Sequence, residues 1–150
     1  MNSRQKRARR ILELRQRELD GAKAILSRKR TEADAAVLAT REGRQRLEAA
    51  EQRHDDLRLD PIDPTTWAES AAWVHSEGRK LELLVQAEAD ALLEAERARS
   101  VVLAAQTNVD RIEAWLKRLR ERETIEEARA ERKLDDEFAR RSASEKSTDL

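Results

Sequence analysis

The chain has 150 residues, enough for one ordinary domain, yet 41% are charged and only 39% hydrophobic, against about 25% and 45–50% in a typical globular domain. Ala, Leu, Lys, Arg and Glu supply 93 of the 150 residues, with three glycines and two prolines for punctuation, a composition that points to long helix or coiled coil. So little bulky apolar matter argues against an enclosed enzyme pocket, and the absence of cysteine excludes disulfides, zinc–thiolate sites and cysteine nucleophiles.

Residues 1–30 open the chain with eleven Lys/Arg against three Asp/Glu. Arg4, Lys6, Arg7, Arg9 and Arg10 resemble the basic start of a signal peptide, but only Ile11, Leu12 and Leu14 follow before charge returns, so no signal peptide is read. A first helix is expected over residues 4–58. Its a-type positions are Leu12, Leu19, Leu26, Ala33, Thr40, Leu47 and His54, and its d-type positions Arg15, Ala22, Lys29, Ala36, Gly43, Ala50 and Leu57. Asp60-Pro61-Ile62-Asp63-Pro64 then breaks the pattern, because a proline forces its predecessor out of the helical region. A bend is expected at 59–64. Asp63 and Pro64 make a good N-cap and first-turn pair for the next helix, with Thr66 to Glu69 as an alternative capping box.

The second helix is expected over residues 64–141. Trp67, Val74, Leu81, Glu88, Ala95, Val102, Val109 and Leu116 form its a ladder, and Ser70, Glu77, Leu84, Ala91, Ala98, Ala105, Ile112 and Leu119 its d ladder. A 3.5-residue period sustained this long predicts a left-handed coiled coil. In an antiparallel hairpin a faces d, so facing residue numbers share a constant sum. A sum of 124 sets the midpoint at Ile62, between the prolines, and matches large with small: Gly43 with Leu81, Thr40 with Leu84, Leu26 with Ala98. The expected fold class is therefore all-α, a long antiparallel two-helix coiled-coil hairpin forming one domain over 1–150. The rival is a parallel homodimer of continuous helices. The longest apolar run, Val101 to Ala105, is far short of a membrane span, so no membrane insertion is expected. The polar tail 142–150 reads as disordered.

Charge is uneven although the net is zero: residues 42–100 carry eight Lys/Arg against fourteen Asp/Glu. The hairpin would thus have a basic free end and an acidic bend. A nucleic-acid role for the basic end is disfavoured, since no aromatic interleaves it and no groove-reading motif is present. A solvated face and a protein-docking end remain open. Arg15, Lys29, Glu77 and Glu88 put charge into the seam, where it either specifies register or loosens the coil. His54 and His75 have no ligand set around them, Asp55-Asp56 and Asp135-Asp136 lie on solvated helix, and no phosphate loop or nucleophile elbow occurs. No enzyme, cofactor or metal is expected. Among the aromatics, Trp67 falls in the seam, and Trp73 and Trp115 flank it. Phe138 follows Leu134 by four on helix with no counterpart in the hairpin, because the 124 register sets Met1 opposite Glu123.

The segment Glu131-Arg132-Lys133-Leu134-Asp135-Asp136-Glu137-Phe138-Ala139-Arg140-Arg141 resembles the C-terminal Lys-x-x-Asp-Glu-Phe-like stretch of the FliJ/YscO-type family of type III secretion and flagellar export. It is matched at Lys133, Asp136, Glu137 and Phe138, and the basic start and mid-chain bend are similar too. The resemblance implies a cytoplasmic, non-enzymatic stalk, sited peripherally at the base of the secretion apparatus. Its partners would be the hexameric secretion ATPase, an export gate protein and secretion chaperones. The residues expected to meet a partner are Arg7, Arg10, Arg132, Lys133, Leu134, Phe138 and Arg141. Two other classes are weighed: a factor inserting an acidic tip (Asp55, Asp56, Asp60, Asp63) into an enzyme channel to hold a metal, and a prefoldin-like chaperone, which the lack of strand pattern disfavours.

Overall fold

The computed structural model describes residues 2–59 and 63–148. It is all-α, with α1 at Ser3–Asp56 and α2 at Pro64–Thr148, and no strand among the described residues. Both starts are capped by the sequence. Asn2 Oδ1 accepts a bond from the Gln5 amide at 2.8 Å, satisfying one of the donors that a helix start leaves free. At α2 the Asp63 carboxylate accepts from the Thr65 amide at 3.1 Å, and the Asp63 carbonyl accepts from the Trp67 amide. The Asp63–Pro64 pair therefore opens the helix, and not the alternative at Thr66. α1 ends two residues before the expected 58, because the Arg58 and Leu59 amides tighten onto the carbonyls of Asp55 and Asp56. Asp60, Pro61 and Ile62, the expected centre of the bend, lie outside the described residues.

The chain divides into two compact units, Met1–Leu19 with Ala105–Leu150, and Asp20–Ala104. In the Asp20–Ala104 unit α1 and α2 pack on the expected register. Thr40, which is buried, shares its single hydroxyl proton between the Ala36 carbonyl at 3.1 Å and, across the seam, the Leu84 carbonyl at 3.2 Å. His54 Nδ1 lies 3.0 Å from Ser70 Oγ. Both cross-seam pairs add to 124. Ala22, Leu26, Ala33, Ala50 and Ala98 are the buried apolar residues here, all from the a and d ladders. On that register Ala22 and Ala50 lie opposite half-buried Val102 and Val74, and Thr40 and Gly43 opposite half-buried Leu84 and Leu81, the alternation of small with large that lets layers interlock. Gly43 shows why. A Cβ built on it would fall 2.7 Å from Leu84 Cδ1 and 3.5 Å from Leu81 Cδ1, so two leucines, not only the expected Leu81, occupy the missing side chain's space.

Three of the four charged seam residues, Glu77, Arg15 and Lys29, have ion-pair partners. Glu77, only 7% exposed, is 3.4 Å from Lys80 and 3.8 Å from Arg46 across the seam. Arg15 pairs with Glu18 and Lys29 with Glu32 along their own helix, which lets their stems cover the seam while the charges stay wet.

In the other unit Ala8 is buried against Leu116 and Leu119, with Leu12 and Trp115 packed on them. Ala8 and Leu116 again add to 124. Gln5, also buried, donates its side-chain amide to the Glu123 carboxylate. Asn2 and Arg4 still share a depression with Glu126 of α2, just beyond that pair. Beyond it α2 continues, and every residue from Thr124 to Arg141 is exposed. The helix also runs on through the tail expected to be disordered, to Thr148. Ser142 to Thr148 contains neither glycine nor proline, and serine costs only tenths of a kcal/mol in a helix that already exists. Polarity alone gives the chain no reason to stop.

Candidate partner-docking surface

Two features of the Met1–Leu19 with Ala105–Leu150 unit can meet another molecule. The first is the uncovered part of α2. Leu134 and Phe138 are four residues apart, so they project from one helical face, at 65% and 77% exposure. With Asp135, Glu137 and Arg141 they line a shallow surface depression, and Lys133, Asp136, Glu137 and Arg140 line a second beside it. The structure thus gathers Leu134, Phe138 and Arg141, and sets Lys133 on the adjoining flank. Arg132 is exposed and takes no part in either depression. Arg132, Lys133, Arg140 and Arg141 make no ion pair, among the described residues.

The second feature is basic. Arg7 and Arg10 are exposed on the first turns of α1, and the register sets Arg7 opposite Lys117. Seventeen residues of α2 separate Lys117 from Leu134, about 25 Å at the helical rise. The expected partner residues therefore form two patches, not one. What the sequence reading missed is a second basic bank: Lys117, Arg118, Arg120 and Arg122, all exposed, lie level along α2 with the basic turns of α1. The signal was available, since the 124 sum applies to charges as well as to leucines. Arg4 and Arg122 line one depression with Asn2, Leu119, Glu123 and Glu126, yet neither arginine forms an ion pair among the described residues.

In the other unit, the His54 ring packs at a tilt of 42° against Trp67 with centroids 4.1 Å apart. Arg58 lies over the same indole, and Arg53 sits 5.4 Å above Trp73. Trp67 is thus a seam residue and Trp73 a cover held by a guanidinium. No group of three or more His, Asp or Glu side chains is placed to hold a metal among the described residues, and no helix is long and apolar enough to cross a membrane. The contact chemistry on offer is apolar side chains on an uncovered helix, flanked by unpaired cations. Burying two such side chains yields about 1.5–3 kcal/mol each before ordering costs. No family model, curated protein or solved structure matches the chain.

Proposed function

We propose that the chain is a non-enzymatic stalk component of a type III secretion or flagellar export apparatus, in which it binds the hexameric export ATPase and stimulates ATP hydrolysis. The observation that supports this is the uncovered end of α2: Leu134 and Phe138, strongly exposed and adjacent on one face, within the stretch that carries the family resemblance. Charges of both signs rim the two side chains, Arg132, Lys133, Arg140 and Arg141 with Asp135, Asp136 and Glu137 between them, and a polar rim of this kind fixes the register of a partner on the apolar pair. A protein that supplies no catalytic group stimulates an ATPase by binding its closed, active hexamer better than its open one. An export gate protein and secretion chaperones are the further partners of this reading, and the cytoplasmic face of the apparatus its location.

Titration of the purified export ATPase from the same genome tests it, with ATP turnover and binding read together. Leu134→Ala with Phe138→Ala weakens binding at least tenfold and abolishes stimulation, while the melting temperature stays within about 2 °C, because neither side chain is packed. Alanines at Asp55, Asp56, Asp60 and Asp63 leave both readings unchanged. Unchanged affinity of the double variant defeats the proposal, and loss on removing the bend aspartates favours the acidic-tip reading instead.

A further inference from the structure

On one side of the seam in the Met1–Leu19 with Ala105–Leu150 unit, heptad geometry sets Arg4, Arg7, Ile11 and Leu14 of α1 along a single row, three or four residues apart. The corresponding row of α2 carries Trp115, Arg118 and Arg122. Arg4 and Arg122 line one depression, which places the two rows on the same side. Ile11 and Trp115 are half-buried and Leu14 is 54% exposed, so the face has an apolar centre. Its arginines are exposed and in no ion pair among the described residues. Glu123 and Glu126 are the carboxylates at its tip. Tryptophan and arginine around a partly apolar centre is the composition that protein interfaces favour.

The complementary surface occurs in the same sequence. Residues 81–96 of α2 contain five Asp/Glu and no Lys or Arg. There Leu83, Val85, Leu92 and Leu93 are all exposed, on adjoining rows that also carry Glu82, Asp90 and Glu96. Among the described residues Glu96 has a long ion pair with Arg99 at 3.7 Å on its own helix, and Asp90 accepts from Gln86. Exposed leucines between carboxylates on one molecule match an apolar centre between arginines on another. The uncovered end of α2 fits this role less well: its charges alternate in sign, Arg132 and Lys133 before Asp135 to Glu137, then Arg140 and Arg141.

We infer that the arginine-rimmed face around Trp115 binds the acidic leucine strip at 81–96 of a second copy of this chain, giving a reversible, salt-sensitive self-association. The contact is between molecules, shares only Arg7 with the residues expected to meet a partner and none with the uncovered end of α2, and does not rest on that reading.

Analytical ultracentrifugation of the full chain tests it, over roughly 5–200 μM protein, the range in which weak transient interfaces assemble, at about 20 mM and about 500 mM salt. The expected result is concentration-dependent association at low salt, at least tenfold weaker at high salt. Arg7→Glu with Arg118→Glu abolishes it, and so does Glu82→Arg with Glu96→Arg. Each double variant alone is monomeric with an unchanged melting temperature. Their equimolar mixture associates again, because the first retains its acidic strip and the second its arginine face. A wild-type chain monomeric throughout the range overturns the inference. So does association that both pairs of reversals leave intact, or a mixture that stays monomeric.

Discussion

Replacing Gly43 by alanine is the sharpest probe of how the seam is built. In an open stretch of helix, glycine to alanine stabilises by about 1 kcal/mol. Gly21 is such a site, with nothing within 4 Å of a built Cβ. At Gly43 the same methyl would sit 2.7 Å from Leu84 Cδ1, where ordinary contacts begin at 3.4 Å. Leu84, half-buried in the layer it shares with Thr40, must swing aside and give up part of its packing in the seam. Overpacking of this kind costs about 1–3 kcal/mol, so Gly43→Ala is neutral to about 2 kcal/mol destabilising. Urea denaturation followed by far-UV circular dichroism then separates Gly43→Ala from Gly21→Ala by about 1–3 kcal/mol. Truncating the obstacle reverses the sign: in a Leu84→Ala background Gly43→Ala stabilises by about 1 kcal/mol, a favourable coupling in the double-mutant cycle. If Gly43→Ala stabilises as much as Gly21→Ala, Leu84 does not lie over Gly43, and the 124 register is wrong in this layer.

Glu77 occupies a buried seam position with only exposed Lys80 and Arg46 to pair with, so Glu77→Leu raises the urea-unfolding free energy by about 1–2 kcal/mol; a loss would mean that the ion cluster stabilises the seam. Thr40→Val removes the hydroxyl that bonds two carbonyls, one of them across the seam, and lowers stability by about 0.5–1.5 kcal/mol in the same assay. Because the chain has no native cysteine, Leu12→Cys with Ile112→Cys can be spin-labelled cleanly. Electron-spin resonance of dilute protein is expected to give a distance within coiled-coil contact, about 10 Å between helix axes plus the label arms, and a much longer distance would contradict the antiparallel pairing.

The seam was legible because apolar periodicity is redundant. Leu19, Leu26, Ala33, Ala98, Val109, Leu116 and Leu119 are ladder positions, and all are buried. Register followed from a single physical fact, that Pro61 and Pro64 permit only one bend, and contacts such as Ala8 with Leu116 obey it. Asp63 and Pro64 were legible as a helix start for the same local reason. The end of α2 was not, because a run of serines and charges reads as disorder while nothing in Ser142 to Thr148 terminates a helix. The arginine face was missed for a different cause. Arg118 and Arg122 lie more than a hundred residues from Arg4 and Arg7, and charges beside a seam carry no periodic signal until the register is applied to them. Of the expected docking residues, the exposure of Leu134 and Phe138 was foreseen from the length mismatch of the helices, but their separation from Arg7 and Arg10 was not. It emerges only when residues are converted to rise along α2.

The proposed role depends on the uncovered end of α2 touching the ATPase, and site-specific photocrosslinking reads that contact directly. A benzophenone side chain in place of Phe138 is expected to capture an ATPase subunit on irradiation, in a yield that competing unlabelled chain suppresses. The same group in place of Leu83, which is equally exposed at 74% but distant in sequence from the docking segment, is expected to capture none. Equal capture from both positions, or none from position 138 in a mixture where ATP turnover is stimulated, would contradict the assignment of Leu134 and Phe138 as the docking surface.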